Sequence, residues 1–324
     1  MKKLISILLL ISMLTLCIAA CGGDDNTNNG TTTTPLSQQE QYDLALSLLS
    51  EAKYSEAYKL FQELGDYEDS KDYVAHFHYI PTKLILSDGE TTQGMRTTLN
   101  EHNLPKEIFY SFGEDEQLLI TLGFDQNGKL IKTTKPLEGE QEAVTNYIYN
   151  DSGKLIKIDS YNHKNYTEYT YDDGGKLVKK VYINSNPGNH DIYEYFYDDN
   201  GRLIKETYKQ GPNNDVSGYI TYTYDTDNQL IKEIYTDTAL AFNSTETHYT
   251  YDKNGRLVKE EQTGSNDQQL TSEYFYNEDG VLCEIKETMP DYTFTEKIEY
   301  TLVYIACDLS DETKQFLNDQ MFGN

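Results

Sequence analysis

The chain has 324 residues, a formal net charge of −27 and a mean hydropathy of −0.68, with 29 tyrosines and no tryptophan. This composition is typical of a thin, solvated β structure and disfavours the thick core of an enzyme. The negative charge disfavours nucleic acid and anionic membrane surfaces as partners.

Residues 1–20 have the pattern of an export signal: two lysines, then an apolar run that ends in Ile18-Ala19-Ala20-Cys21. The ending resembles the lipobox of bacterial lipoproteins, in which the signal is cut before the cysteine and the thiol receives a diacylglycerol. The resemblance implies a lipid anchor at Cys21 and an outward-facing place in the bacterial cell envelope. An ordinary cleaved signal is the alternative, and a transmembrane span is disfavoured because the apolar run is short.

Residues 21–36 are polar and lack apolar periodicity, which predicts a flexible tether. Residues 37–79 then show apolar side chains at helical spacing, from Tyr42 to Leu49 and from Tyr54 to Phe61. This spacing predicts two helices, and residues 65–70 are predicted to cap a third. The pattern resembles a tetratricopeptide unit, which implies a small N-terminal cap on a larger structure or, as the alternative, a peptide-binding unit.

Residues 80–307 are predicted to form β-hairpins, irregular at first and regular from Phe124 onward. Seven copies of Tyr-x-Tyr-Asp-x-x-Gly-(Lys/Arg)-Leu-(Ile/Val)-Lys follow one another at intervals of 22 to 27 residues. The fourth position of these copies is occupied by Asp125, Asn150, Asp172, Asp198, Asp225, Asp252 and Asn277. An interval of this length predicts a repeat architecture, and alternating runs around a turn predict antiparallel hairpins.

The turn of each copy has Asp or Asn at its first position and Gly at its fourth, which suits a type I turn followed by a left-handed glycine. The copy without that glycine has Asn228, which also tolerates positive φ. A calcium loop is disfavoured, because it needs glycine at its sixth position, and weak calcium association is the alternative. In this turn we predict that Tyr171 lies opposite Leu177.

The same register predicts that the first tyrosine of five copies lies opposite a lysine on one face of the sheet. The pairs are Tyr147 with Lys157, Tyr169 with Lys179, Tyr195 with Lys205, Tyr222 with Lys232, and Tyr249 with Lys259. This ladder is the candidate ligand site, where sugar rings would stack on tyrosine and lysine would bind hydroxyls or carboxylates. The alternative is that the pairs hold the sheet together. The connections 184–190 and 210–217 are a second candidate surface.

Two copies, Tyr197–Leu203 and Tyr251–Leu257, closely resemble the YD repeats of Rhs and wall-associated bacterial surface proteins, and the resemblance covers residues 124–287. Large members of that family coil many repeats into a shell around a C-terminal toxin. This chain has few repeats, no core-terminating motif and no segment after them that would hold a toxin domain. We therefore expect a mainly β chain with an elongated antiparallel hairpin-repeat sheet, open or curled, and a small helical cap.

Cys283 and Cys307 are 24 residues apart, about one repeat, and are candidates for a disulfide or for two buried thiols. In the C-terminal segment 308–324, Ser310 is predicted to cap a short helix over residues 311–320 that covers a sheet edge. His76 and His78 are interpreted as structural, because residues two apart on a helix point to different sides.

The sequence contains no catalytic constellation: no nucleophile elbow, phosphate loop or zinc motif appears, and the six histidines are scattered. We therefore expect a protein that is not an enzyme and needs no cofactor or metal. The leading hypothesis is adhesion to extracellular or cell-wall carbohydrate. The alternatives are a structural spacer, a module that binds an envelope protein, and the remnant of an Rhs-type toxin-delivery shell.

Overall fold

The structure is a computed structural model that describes residues 35–88, 92–113, 115–138, 141–160, 163–185, 190–211, 215–238, 244–264, 269–291 and 293–306. The chain divides into two compact units. Among the described residues, the first comprises 35–78 and Leu302–Tyr304, and the second comprises Tyr79–Thr301 with residues 305 and 306. The predicted signal peptide, Cys21, Cys307 and the predicted C-terminal helix lie outside the described residues.

Within its described residues the first unit contains three helices: α1 is Gln38–Ser50, α2 is Tyr54–Leu64 and α3 is Ser70–Ala75. Ser37 begins α1 with a capping box, since its side chain accepts the backbone N–H of Glu40 while the Glu40 carboxylate accepts the Ser37 backbone N–H at 2.9 Å. The prediction of two helices is confirmed, and a third helix follows at Ser70, although its N-cap residue Asp69 makes no side-chain capping bond. The tetratricopeptide resemblance stays a prediction.

The first unit has its own apolar core. Its fully buried centre is Phe61, whose ring stacks on Tyr73 at 4.6 Å between centroids. The buried members of the core are Leu44, Ala45, Leu48, Ala57, Phe61, Leu64 and Phe77. These positions carry the helical spacing read from the sequence, so the apolar faces of α1 and α2 pack against each other.

Eighteen antiparallel strands make up the sheet in the described part of the chain. They are β1 Phe77–Ser87, β2 Thr92–Leu99, β3 Pro105–Phe112, β4 Asp115–Phe124, β5 Leu130–Pro136, β6 Glu142–Tyr149, β7 Leu155–Asp159, β8 Tyr166–Tyr171, β9 Leu177–Ile183, β10 His190–Tyr197, β11 Leu203–Gln210, β12 Asp215–Tyr224, β13 Leu230–Asp237, β14 Ser244–Tyr251, β15 Leu257–Gly264, β16 Gln269–Tyr276, β17 Leu282–Thr288 and β18 Thr293–Tyr304. Each strand pairs with the next along the chain.

The sheet is a closed antiparallel barrel, because β1 pairs with β18 as well as with β2. At this seam the Thr82 and Thr301 hydroxyl oxygens are 3.1 Å apart, and Lys83 Nζ donates to Glu299 at 2.9 Å. The prediction of an open or curled sheet was wrong. The irregular hairpins that precede the first regular copy supply enough strands for the last strand to meet the first, and closure removes the exposed edges that an open sheet would have.

One face of the closed sheet carries an apolar core, and we call it the inner face. Its buried residues are Leu84, Ile108, Ile120, Leu122, Leu130, Ile285 and Ile298, with Tyr147, Tyr274 and Tyr300 packed partly against them. The opposite, outer face carries large apolar side chains that are well exposed, such as Ile148 at 41% and Phe196 at 44%. The strands outside the regular repeats therefore supply most of the core, while the repeats form a more polar wall.

The turns of the repeats have the predicted geometry. In one of them the Asp172 backbone N–H donates to Lys176 O and the Gly175 N–H donates to Asp172 O, both at 2.9 Å. The Asp172 carboxylate also accepts the Lys176 N–H at 2.8 Å. Gly175 has φ of +80°, and Asn228 takes the equivalent place with φ of +64°. The turn prediction is confirmed, including the role of Asn228.

A β-bulge follows each of these turns. Tyr171 lies opposite Leu177, as predicted, but Thr170 then pairs with Lys179 and Tyr169 with Lys180. Val178 is the extra residue. The same register shift occurs in all seven copies, between the middle residue and the second tyrosine or phenylalanine of the motif.

Successive copies are joined by a contact that we call the inter-repeat lock. The second tyrosine of a copy donates its hydroxyl to the backbone carbonyl of the motif leucine in the preceding copy. The bonds are Tyr149 to Leu130, Tyr171 to Leu155, Tyr197 to Leu177, Tyr224 to Leu203, Tyr251 to Leu230 and Tyr276 to Leu257, all at 2.7 to 2.8 Å. Each bond contributes about 0.5–1.5 kcal/mol.

The lock has a second part, made by the cation that precedes the motif leucine. Lys154 Nζ lies 5.1 Å from the centroid of the Tyr171 ring and donates to Gly175 O at 2.7 Å. The other cation and ring pairs are Lys129 with Tyr149, Lys176 with Tyr197, Arg202 with Tyr224 and Arg256 with Tyr276, at 4.6 to 5.2 Å. The Lys/Arg, Leu, Tyr and Gly of the motif therefore all serve to join one copy to the next.

Candidate functional site

The first tyrosines of the repeats lie half-buried on the inner face, and three of the five predicted tyrosines lie opposite carboxylates rather than lysines. Tyr195 pairs with Glu206, and the equivalent tyrosines of the next two copies pair with Glu233 and Glu260. The five predicted tyrosines pair as Tyr147 with Ile158, Tyr169 with Lys180, Tyr195 with Glu206, Tyr222 with Glu233 and Tyr249 with Glu260.

The predicted lysines lie on the outer face. Their cross-strand partners are Ile148 for Lys157, Thr170 for Lys179, Phe196 for Lys205, Thr223 for Lys232 and Thr250 for Lys259. The prediction of a combined tyrosine and lysine ladder was therefore wrong. The cause is the bulge: one extra residue shifts the register by one, and a shift of one residue moves a side chain to the opposite face.

Four of these lysines have partners on the outer face. The contacts are Lys157 Nζ over the Tyr166 ring at 4.1 Å, Lys205 Nζ over the Tyr219 ring at 4.9 Å, Lys232 with Glu246 at 2.7 Å and Lys259 with Glu261 at 2.7 Å. Surface ion pairs of this kind contribute at most about 1 kcal/mol each. The ion pairs neutralise Lys232 and Lys259 locally, while Lys157 and Lys205 keep their charge over tyrosine rings.

The tyrosines and glutamates of the inner face form a hydrogen-bonded row. Tyr222 Oη donates to Glu206 Oε2 at 3.3 Å, which joins neighbouring copies a second time. Burial raises the pKa of Tyr222, and the carboxylates of Glu206 and Glu233 raise it further. The pKa of Tyr249 is raised in the same way, by burial first and then by Glu233 and Glu260. These hydroxyls therefore remain protonated donors at neutral pH.

The pKa values of the carboxyl groups on the inner face are raised as well. Burial raises the pKa of Glu206 and of Glu260, and a nearby carboxylate, Glu233, adds to the effect in both. Burial, and then the carboxylate of Glu287, raises the pKa of Glu296 to about 7. The row thus offers aromatic rings, hydroxyl donors and carboxylate acceptors, groups that are able to bind a polar ligand.

Sequence reasoning missed the glutamates. Glu206, Glu233 and Glu260 each follow directly after one of the predicted lysines, so their recurrence was visible in three copies. Only knowledge of the bulge places them, instead of the lysines, beside the tyrosines.

The remaining predicted site residues are only partly described. Cys283 is half-buried, with its thiol 3.4 Å from Phe275 O, and because Cys307 lies outside the described residues the disulfide stays a prediction. His76 Nδ1 lies 2.7 Å from Asp72 O, a local contact within α3 and its cap. Within the described residues, no group of three or more His, Cys, Asp or Glu side chains is placed to hold a metal ion.

Asp198 illustrates why the turn carboxylates are occupied. Its Oδ1 accepts the backbone N–H groups of Asn200 and Arg202, and its Oδ2 accepts Arg202 Nε at 2.7 Å. These bonds lower the pKa of Asp198, and the bond from the Arg202 backbone N–H has the largest effect.

The helices of the described ranges are all too short or too polar to cross a membrane.

Comparison with known proteins places the repeat in a family context. The family model described as Teneurin YD-shell matches residues 45–187, somewhat less than half of the chain. Taken with the repeat, the match supports a protein of YD-repeat type. The match ends at residue 187, whereas the YD-repeat motif and its turn geometry continue through Asn277. No curated protein sequence matches the chain.

Several solved structures show remote similarity. A chain of the TcdB2-TccC3-Cdc42 complex is similar over 65% of this chain, with 14% identity and a TM-score of 0.29, and the chain spans only 15% of its length. A chain of the Photorhabdus luminescens Tc holotoxin pore is similar over 71% of this chain and 16% of its own length, with 13% identity and a TM-score of 0.30.

A porin-like protein from Bacteroides uniformis is similar over 68% of this chain and 97% of its own length, with 14% identity and a TM-score of 0.38. TM-scores this low carry no functional argument for the YD-repeat chain.

Proposed function

We propose that this chain is an outward-facing bacterial lipoprotein, anchored at Cys21, whose YD-repeat module is a closed, non-catalytic wall that serves as a rigid scaffold or spacer in the cell envelope. The observation that supports it best is the closure of the sheet together with the register of its repeats. Several of the residues predicted as a ligand surface instead contact neighbouring strands: Lys157, Lys205, Lys232 and Tyr222. Because these recurrent residues make contacts within the sheet, we expect the repeat module to be rigid.

Closure is tested by a cross-link at the seam. Thr82→Cys with Thr301→Cys should form a disulfide on mild oxidation, since the two hydroxyl oxygens are 3.1 Å apart. Peptide mapping by mass spectrometry identifies the bond, and Thr82→Cys with Thr170→Cys, on β8, is the matched control that should not cross-link. Because the bond encloses more than two hundred residues, the loop-entropy relation predicts that it stabilises the module by about 5 kcal/mol. Absence of the cross-link in a folded variant would refute the closed scaffold.

The anchor is tested by labelling with radioactive palmitate and by membrane fractionation. Cys21→Ala should abolish labelling and release the protein, whereas Cys17→Ala, four residues earlier in the signal, should leave both unchanged. Labelling that survives Cys21→Ala would remove the lipoprotein assignment.

Carbohydrate binding is the second candidate, and the observation that favours it is the half-buried state of the inner tyrosines. Their rings keep some accessible surface beside carboxylate acceptors, an arrangement suited to stacking a sugar and binding its hydroxyls. The test is retention on wall polysaccharide and peptidoglycan. Binding should fall with Tyr222→Ala and persist with Lys179→Ala; equal binding by the two variants would exclude the inner row.

Enclosure of a guest polypeptide, as in a toxin-delivery shell, is a third candidate that is supported by the shell family match. It predicts a polypeptide that co-purifies with the chain and resists protease until the wall is unfolded. Protease sensitivity of every co-purified polypeptide under native conditions would contradict it.

A further inference from the structure

A cavity of about 410 Å³ lies at the turn end of the sheet, between the β2–β3 turn and the first regular repeat turn, that of β4–β5. Its apolar lining includes Leu104, Leu122 and Phe124, and its charged lining includes Glu101, Lys106 and Asp125. The residues on its two sides belong to consecutive hairpins. The cavity therefore occupies the place where later copies form the inter-repeat lock.

The β2–β3 turn is itself an unrecognised copy of the repeat. Asn100 lies 25 residues before Asp125, its N–H donates to Leu104 O at 2.8 Å, and its side chain accepts the Leu104 N–H at 3.0 Å. Asn103 has φ of +61°, as the motif glycine does, and Leu99 lies opposite Pro105 beyond a bulge. Leu104 therefore occupies the position that Lys or Arg has in five later copies.

Two parts of the lock are missing at this place. Leu104 carries no charge, and Phe124, which stands where the other copies have tyrosine, has a ring but no hydroxyl. Among the described residues no Lys or Arg lies over the Phe124 ring, whereas cations lie 4.6 to 5.2 Å from the equivalent rings of Tyr149 and four later copies. Phe124 therefore supplies the aromatic ring of the lock, but no lysine or arginine of the described residues covers it.

The charges around the cavity suit a cation. Asp125 contributes a carboxylate whose Oδ1 accepts the backbone N–H groups of Asn127 and Lys129, both at 2.9 Å. Glu101 contributes a second, exposed carboxylate that lies 4.0 Å from Nε2 of His102, which also lines the cavity. The competing cation, Lys106, lies 3.8 Å from the Glu107 carboxylate and is therefore partly neutralised. An added ammonium or guanidinium group gains the aromatic face and the carboxylates without displacing a protein cation from the ring.

We propose that this cavity is a binding site for the ammonium or guanidinium group of a ligand, which would supply from outside the cation that the other copies supply from within. The five filled locks of the same chain define its chemistry: a cation over an aromatic ring, at the edge of a repeat turn. The site is independent of the scaffold role, because it lies at one irregular copy and uses none of the inner tyrosine and glutamate row.

The probes are agmatine and a capped tripeptide with a central arginine, titrated by calorimetry into the purified full chain. Saturable binding at about millimolar concentration is expected, since one cation–π contact and one ion contact carry it. Butylamine against butanol tests the charge: only the amine should bind. If the tripeptide binds more tightly, the natural ligand group is a side chain of a protein partner. If agmatine binds more tightly, the natural ligand is a free amine.

Leu104→Lys is the decisive variant, because it places a cation where five other copies have one. It should weaken agmatine binding at least tenfold, and because Leu104 is buried, with 4% exposure, circular dichroism must first show that the variant is folded. Phe124→Leu, which removes the ring, should weaken binding at least fivefold, while Phe124→Tyr, the matched control, should bind within twofold of the natural chain. Unchanged binding by both Leu104→Lys and Phe124→Leu, equal binding of butanol, or no saturable binding by the folded natural chain would each overturn the proposal.

Discussion

Glu296 should make the closed sheet more stable in mild acid than in mild alkali. It lies half-buried on β18, on the inner face, opposite Ile285 and beside the buried Ile298. Burial is the main cause that raises the pKa of its carboxyl from an ordinary 4.5 to about 7, and Glu287 adds a smaller effect. The ionised form is therefore disfavoured in the folded state relative to the unfolded one.

The size and sign follow from linkage between folding and protonation. A rise from 4.5 to about 7 corresponds to about 3 kcal/mol at full effect, and because the side chain is only half-buried, solvent screening reduces the figure to about 1–2 kcal/mol. Since the pKa of the folded state is the higher one, this stabilisation is fully present below pH 4.5. It is lost as the pH rises through 7.

The assay is urea unfolding of the natural chain and of Glu296→Gln at pH 5 and pH 8. At pH 8 the glutamine variant should be more stable by about 1–2 kcal/mol, or a few degrees in melting temperature, and at pH 5 the two should be alike. Glu299→Gln is the matched control on the same strand, because the Glu299 carboxylate accepts a hydrogen bond from Lys83. This variant should keep the dependence of the unfolding free energy on pH that the natural chain shows. If Glu296→Gln shows the same dependence on pH as the natural chain, the reasoning fails.

The inter-repeat lock and the turn glycines give two further predictions, both measured by urea unfolding. Tyr197→Phe removes the hydroxyl that donates to Leu177 O at 2.8 Å and should cost about 1 kcal/mol; a neutral effect would show that the bond adds nothing. Gly175→Ala should cost about 2 kcal/mol, because φ is +80° and the new Cβ would lie 2.8 Å from Lys154 Cε. Gly174→Ala, in the same turn without positive φ, is the matched control; its Cβ would lie 3.3 Å from Asp172 Oδ1, so it should cost less than about 1 kcal/mol, and losses equal to those of Gly175→Ala would contradict the turn argument.

The hairpins and turns could be predicted from sequence because their determinants are local. The Asp172 carboxylate, the Lys176 N–H and the left-handed Gly175 lie within five residues of one another, and each residue type has few alternatives in such a turn. The two principal helices were equally visible, since Ser37 and Glu40 form a capping box next to a helical apolar pattern. Local chemistry was sufficient wherever the partners were near in the chain.

Closure and the face of the side chains could not be predicted in the same way. Closure depends on twist accumulated over many strands and on a contact between Thr82 and Thr301, more than two hundred residues apart. The faces depend on one residue: Val178 and its equivalents are inserted into the ladder, so Lys179 moves outward and Lys180 takes its place beside Tyr169. The apolar character of the bulge position is compatible with either register.

The residues of the YD motif form the turn and the inter-repeat lock, and this changes where on the protein a ligand site should be sought. In a regular copy the Asp or Asn caps the turn, the Gly takes positive φ, the Lys or Arg covers the next ring and the second Tyr bonds the previous carbonyl. Residues that form the turn or the inter-repeat lock are poor candidates for contacting a ligand, however often they recur in the chain. Their recurrence therefore indicates a structural role. The copy with Leu104 keeps the turn geometry but does not form the inter-repeat lock with Phe124, and this is where the fold leaves space for an external group.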